Sequence, residues 1–175
     1  MPMIEEKAGK LKLLLLDVDG VMTNGSISIG EQGEETKSFH VRDGLGLKLL
    51  IANGIDVVIV TGRRSSAVES RIKELGIQGL YQGISDKQSL CRKLIREKGL
   101  KKHEVCAMGD DLPDLPMFKE AGVCITVGDA VREVREACDF ITKSKGGSGA
   151  VREACEWILK SQGKWPDVLA TFSGK

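Results

Sequence analysis

The stretch LKLLLLDVDGVMTNG, residues 11–25, sets four leucines in an unbroken row and ends that row on two carboxylates, Asp17 and Asp19. An apolar run without alternation reads as a strand buried on both faces, the kind found in parallel sheets. A carboxylate at the end of such a strand is costly unless a cation or hydrogen-bond donors meet it. The stretch therefore predicts a parallel sheet with a cation-binding site at its edge.

Apolar runs of strand length recur at residues 55–60 (IDVVIV), 79–82, 105–108, 123–127 and 140–141, with segments of helical period between them. Ser66 and Glu69 have capping-box spacing, Val68, Ile72 and Leu75 share one face, and Gly76 stops that helix. Asp86 is placed to cap a helix that carries Leu90, Leu94 and Ile95 inward and ends at Gly99. Val151, Cys155, Ile158 and Leu159 mark a last amphipathic helix after the loop KGGSG, residues 145–149. Strands alternating with helices predict an α/β fold, a Rossmann-like parallel sheet covered by helices on both faces.

One segment breaks the rhythm. Residues 26–39 (SISIGEQGEETKSF) alternate around EQG, which predicts a β-hairpin flap directly after the first strand. That places the flap at the edge where doubly wound sheets bind ligands. The tail, residues 161–175, has no strong periodicity and is expected to be mobile or docked on a partner. The chain reads as a single domain over residues 1–175.

Composition narrows the function classes. Lys plus Arg (26) nearly cancel Asp plus Glu (25), so no bulk field calls for nucleic acid or a membrane surface. The leucine run is far too short to span a bilayer and the first ten residues are polar, which predicts a cytoplasmic protein. The five cysteines are at least fourteen residues apart with no C-x-x-C pair, so they read as small core residues rather than zinc ligands or disulfides.

Four elements then fall just past strand ends: Asp17-Val18-Asp19-Gly20, Thr61-Gly62-Arg63, Lys87 and Gly109-Asp110-Asp111. Their chemistry suits phosphoryl transfer. Asp17 and Asp110 can offer oxygens to Mg²⁺, a hard ion bound by a few carboxylates, carbonyls and waters. Asp17 can attack phosphorus, while Asp19 can protonate the leaving oxygen and then take a proton from water. Thr61 can hold non-bridging oxygens and Lys87 can neutralise charge at the phosphorus, with Gly20 and Gly62 leaving room for the phosphate. Singly, each element has a plainer reading, such as Asp114 capping the helix that begins near Pro116. Jointly, nucleophile, hydroxyl, cation and acid in that order are specific.

DVDGVMTNG, VIVTGR, the lysine of SDK and GDDLPD together resemble the four signature motifs of the haloacid dehalogenase superfamily of phosphatases. The hairpin, FHVRDGLGLKLL and GGSGAVREACEWIL are similar to its capless subgroup, the 3-deoxy-D-manno-octulosonate 8-phosphate phosphatases, over nearly the whole chain. The resemblance implies Asp17 as nucleophile and metal ligand, Asp19 as general acid/base with its main-chain oxygen on the metal, and Asp110 as third protein ligand. It implies Thr61 and Lys87 as phosphate ligands. His40, Val41, Arg42, Asp43, Gly44, Lys48, Arg63 and Arg71, with Asp19 and Lys87, match positions lining the family's substrate site. It further implies Mg²⁺ as cofactor, a place in lipopolysaccharide biosynthesis, and a homotetramer in which the Gly-rich loop and the tail reach toward a neighbour's site.

Three other readings remain to be weighed. A phosphatase for a nine-carbon sugar acid 9-phosphate shares the chemistry, but such relatives tend to carry an acid where this chain has Arg63 and lack the VRDG run. A phosphoryl-accepting receiver domain places its acceptor after the third strand, whereas Asp17 ends the first. A catalytically dead interaction domain would not be expected to keep Asp17, Asp19, Lys87 and Asp110 together.

Overall fold

The row of leucines becomes β1 (Leu13–Leu16), the interior of a six-stranded sheet, and all four side chains are wholly buried. Full burial of a leucine is worth roughly 1.5–3 kcal/mol, so this strand anchors the core. The computed structural model describes residues 3–173. Across the sheet the order is β5 (Gly79–Tyr81), β4 (Asp56–Val60), β1, β6 (Val105–Met108), β7 (Val123–Thr126) and β8 (Phe140–Ile141). Every neighbouring pair is parallel.

The chain builds one half outward from β1 through β4 to β5, then returns to build the other half through β6, β7 and β8. This reversal opens a crevice at the carboxyl ends of the central strands. Register makes the crevice a site: Leu16 lies opposite Ile59 on one side and Met108 on the other. Asp17, Thr61 and Gly109 therefore leave the sheet at one edge.

The helices are α1 (Ile4–Ala8), α2 (Val41–Ala52), α3 (Ser66–Leu75), α4 (Lys87–Glu97), α5 (Leu115–Phe118), α6 (Arg132–Ala137), α7 (Ala150–Ser161) and α8 (Trp165–Phe172). Val68, Ile72 and Leu75 of α3 are buried as expected, and Gly76 ends it at a φ of 73°. Asp86 caps α4 by accepting from the Ser89 N–H at 2.9 Å. The apolar stripe of α7 is fully buried. Of the five free cysteines only Cys138 is partly exposed. The flap is a short hairpin of β2 (Ser28–Ile29) antiparallel to β3 (Glu35–Thr36).

Two local expectations are corrected. The cap position of α3 is Ser65, not Ser66, and no capping box forms. Gln82 takes both groups instead: its Oε1 accepts from the Ser65 N–H and its Nε2 donates to Glu69, each at 2.8 Å. The tail is not irregular, since residues 165–172 form α8, with Val168 buried and Trp165 packed on the core. Pro166 in its first turn and too few apolar positions to show a period hide this helix in the sequence.

Candidate active site

At the crevice the four strand-exit elements meet. Asp17, Asp19, Thr61, Gly62, Arg63, Lys87, Asp110, Asp111 and Asp114 all line one cavity of about 520 Å³. Asp17 follows β1 directly, and its N–H donates to the Met108 carbonyl at 3.0 Å, so the sheet ladder itself sets its position. Thr61 is held likewise, donating to the Tyr81 carbonyl at 3.0 Å.

Lys87 opens α4 and is buried with the acids. Its Nζ donates to Asp17 Oδ1 at 2.7 Å and to Asp114 Oδ1 at 2.6 Å. Burial works to lower the Lys87 pKa, but Asp17 and then Asp114 outweigh it, so the ammonium is held more firmly than usual. Burial, followed by the charge of Asp114, pushes Asp17 up to about 7. Burial and then Asp17 push Asp110 up to about 7 as well. One lysine is too little positive charge for these carboxyls.

The donor set fits a hard divalent cation. Carboxylate oxygens of Asp17, Asp110 and Asp114 lie within 4.8 Å of one another, and Asp110 Oδ1 is buried without a hydrogen-bond partner. Such an orphaned anionic oxygen is expensive unless a cation meets it. Asp114 is not free to join, because Oδ1 serves Lys87 and Oδ2 accepts from the N–H groups of Asp110 at 2.9 Å and Asp111 at 3.3 Å. The Asp114 side chain therefore caps no helix at Pro116, contrary to the sequence reading. It shapes the loop carrying Asp110 and steadies Lys87. The signal available beforehand was a third acid in GDDLPD, more carboxylate than capping needs.

Close approach here requires glycine. Gly20 has a φ of 85°, and a Cβ on it would overlap the Asp110 carboxylate. The Gly-rich loop, expected from the resemblance to reach toward a neighbouring site, packs within its own chain on the Asp17 loop. Gly147 N–H donates to the Val21 carbonyl at 3.0 Å, and a Cβ on Gly146 would overlap the Gly20 carbonyl.

Of the eight positions matched to a substrate wall by α2, α3 and the first turn after β4, only Arg63 lines this cavity. It is half exposed, pairs with Glu35 of the flap at 2.6 Å, and lies 4.0 Å from Asp19. His40 and Arg42 line a second cavity of about 480 Å³ with Ser148, Arg152 and Glu156. Val41 is 80% exposed and Lys48 is exposed along α2. Asp43 is buried and caps α7, accepting from the Arg152 N–H at 2.8 Å. Burial pushes its pKa up, and that hydrogen bond opposes the shift. Arg71 pairs with Glu74 at 2.8 Å and lies over the Phe39 ring, while Gly44 leaves room for its guanidinium. None of these seven lines the cavity that holds Asp17.

Comparisons with known proteins match this chain in sequence and in fold. A family described as haloacid dehalogenase-like hydrolase matches residues 80–154. A 3-deoxy-D-manno-octulosonate 8-phosphate phosphatase of Yersinia pestis is 45% identical over 146 residues, covering 83% of this chain and 78% of that protein. The solved structure of the phosphatase of that name from Moraxella catarrhalis, in complex with magnesium, phosphate and a KDO molecule, superposes with a TM-score of 0.94. It is 44% identical and covers 97% of each chain. A cobalt-bound phosphatase of this kind from Haemophilus influenzae superposes with a TM-score of 0.87, at 40% identity over 90% of this chain and 92% of that one.

Proposed function

The chain belongs to the 3-deoxy-D-manno-octulosonate 8-phosphate phosphatases among the haloacid dehalogenase-like hydrolases, and on that basis we propose the reaction it performs. It hydrolyses 3-deoxy-D-manno-octulosonate 8-phosphate to the free sugar acid and phosphate, a step of lipopolysaccharide biosynthesis. The observation that carries this reading is the buried Asp17, held by Lys87 and facing Asp19, Thr61 and Asp110 across one cavity.

The residues take the following roles. One Asp17 oxygen attacks phosphorus as the bond from phosphorus to the sugar oxygen breaks, leaving an aspartyl-phosphate. Asp19 gives its proton to the departing oxygen and then takes one from the water that cleaves the aspartyl-phosphate. Thr61 holds a non-bridging oxygen, and Lys87 faces the charge that builds on the phosphoryl group. Asp17, Asp110 and the main-chain oxygen of Asp19 would hold Mg²⁺, which would supply the positive charge that lets a phosphate approach these carboxylates.

Arg63 is the substrate-binding residue of the cavity itself, a cation suited to a sugar acid's carboxylate. His40, Val41, Arg42, Asp43, Gly44, Lys48 and Arg71 complete the substrate site through a neighbouring subunit of a homotetramer. Exposed Ile29 on the flap and exposed Val41 at the start of α2, 71% and 80% accessible, support such an interface. Among the described residues no helix is long and apolar enough to cross a membrane, and we place the enzyme in the cytoplasm. Arg63 and the VRDG run favour the eight-carbon substrate over a nine-carbon one.

A panel of sugar phosphates with free phosphate as the readout tests the assignment. The eight-carbon sugar acid phosphate should give the highest kcat/KM, and a preference for the nine-carbon compound would overturn it. Light scattering on the purified protein should report four times the chain mass.

A further inference from the structure

The flap carries a lysine that the strand-exit motifs do not include. Lys37 follows β3, its side chain has no exposed surface, and its Nζ contacts Oδ1 of Asp19. It also pairs with Glu35 Oε1 at 3.1 Å. The other Glu35 oxygen takes Arg63 at 2.6 Å, and Arg63 lies 4.0 Å from Asp19 Oδ2. Two acids and two cations thus close a ring between the flap and the strand edge, with one side chain of the ring being Asp19.

We propose that Lys37 is a positioning residue for Asp19, pinning Oδ1 so that Oδ2 is presented to the leaving-group oxygen. The inference rests on the reading of Asp19 as the acid/base. A carboxylate on a loop has free χ rotation, and proton transfer fails when the donor oxygen turns away. A buried ammonium fixed on Glu35 removes that freedom. In the first half-reaction the Asp17–phosphorus bond forms, the bond from phosphorus to the sugar oxygen breaks, and the proton on Oδ2 passes to that oxygen. In the second, water attacks phosphorus, the Asp17–phosphorus bond breaks, and a water proton returns to Oδ2. The flap is then part of the catalytic apparatus, because its docking orients the proton donor.

The test compares Lys37→Met with the wild type in a rapid-mixing first turnover, using the sugar phosphate and p-nitrophenyl phosphate. Nitrophenolate leaves without a proton, so its release in the first turnover should stay within about threefold of wild type. Release of the sugar should slow by about 10–100-fold, a share of what general acid catalysis contributes. Nitrophenolate should then appear as a burst followed by slow turnover, because the hydrolytic half-reaction still needs Asp19. Equal slowing of both first turnovers, or no slowing of either, overturns the proposal. Lys37→Leu, which likewise removes the donor, gives the same comparison should Lys37→Met not fold. Wild-type rates on the sugar phosphates judge the substrate reading separately, since the contrast between an alkyl and an aryl leaving group holds for any sugar.

Discussion

Lys87 and Asp17 are seventy residues apart in the chain and meet at 2.7 Å, Nζ to Oδ1, in the crevice where the strand order reverses. Asp114 takes the same ammonium at 2.6 Å. A single cation thus offsets two buried acids, and the arrangement is only as stable as that cation.

Lys87→Met leaves both carboxylates buried without it. Breaking a buried pair in this way costs about 3–5 kcal/mol. Removing a group that stabilises charge on the phosphoryl oxygens costs on the order of 10²–10³ in rate. The variant should therefore unfold at a visibly lower temperature and lose kcat/KM by that factor, read by thermal unfolding and phosphate release.

Asp17→Asn should behave in the opposite sense for stability. The amide cannot attack phosphorus, so turnover should fall to background. It also carries no charge to repel Asp114, so the melting temperature should not drop below that of wild type. Wild-type rates in this variant would rule out a covalent route. For the unmodified enzyme, a chelator should stop turnover and added Mg²⁺ should restore it.

Gly20→Ala meets two obstacles. Its φ of 85° disfavours any side chain, and the new methyl overlaps the Asp110 carboxylate. Strain of this kind costs about 1–3 kcal/mol. Because Asp110 must shift, half-maximal activity should also need more Mg²⁺, whereas Gly54→Ala, with a φ of 79° and open space around it, should cost stability alone.

Glu35 supplies a pH signature of flap docking. Arg63, and after it Lys37, hold its carboxyl down to about 2 from an ordinary value of 4.5. A depressed folded-state pKa stabilises at pH above the unfolded value, and that stabilisation is lost as pH falls through the folded one. The melting-temperature gap between wild type and Glu35→Gln should hence be constant above about pH 5 and close as the pH falls toward 2. A gap that widens on acidification would contradict the ring.

Much of this was legible in one dimension. Unbroken apolar runs of strand length, alternating with segments of helical period, read as buried strands of a parallel sheet, so the residues just past LLLL and IDVVIV were expected at its edge. That is why Asp17, Thr61 and Asp110 were readable as partners. Local chemistry also disclosed the hairpin, because alternation around a glycine-containing turn needs no distant contact.

What escaped was everything that depends on which distant group a polar side chain meets. Asp114 has the spacing of a helix cap, yet Lys87, brought in by α4, takes one of its oxygens. Ser65 displaces Ser66 because Gln82 arrives from beyond β5. Lys37 has no motif at all, and only the docking of the flap sets it on Asp19. Periodicity follows from burial, which each residue's own polarity decides, so the sheet, the flap and the edge where chemistry occurs could be read in one dimension. A charged group's partner is chosen by distance in space, and those pairings exist only in the folded chain.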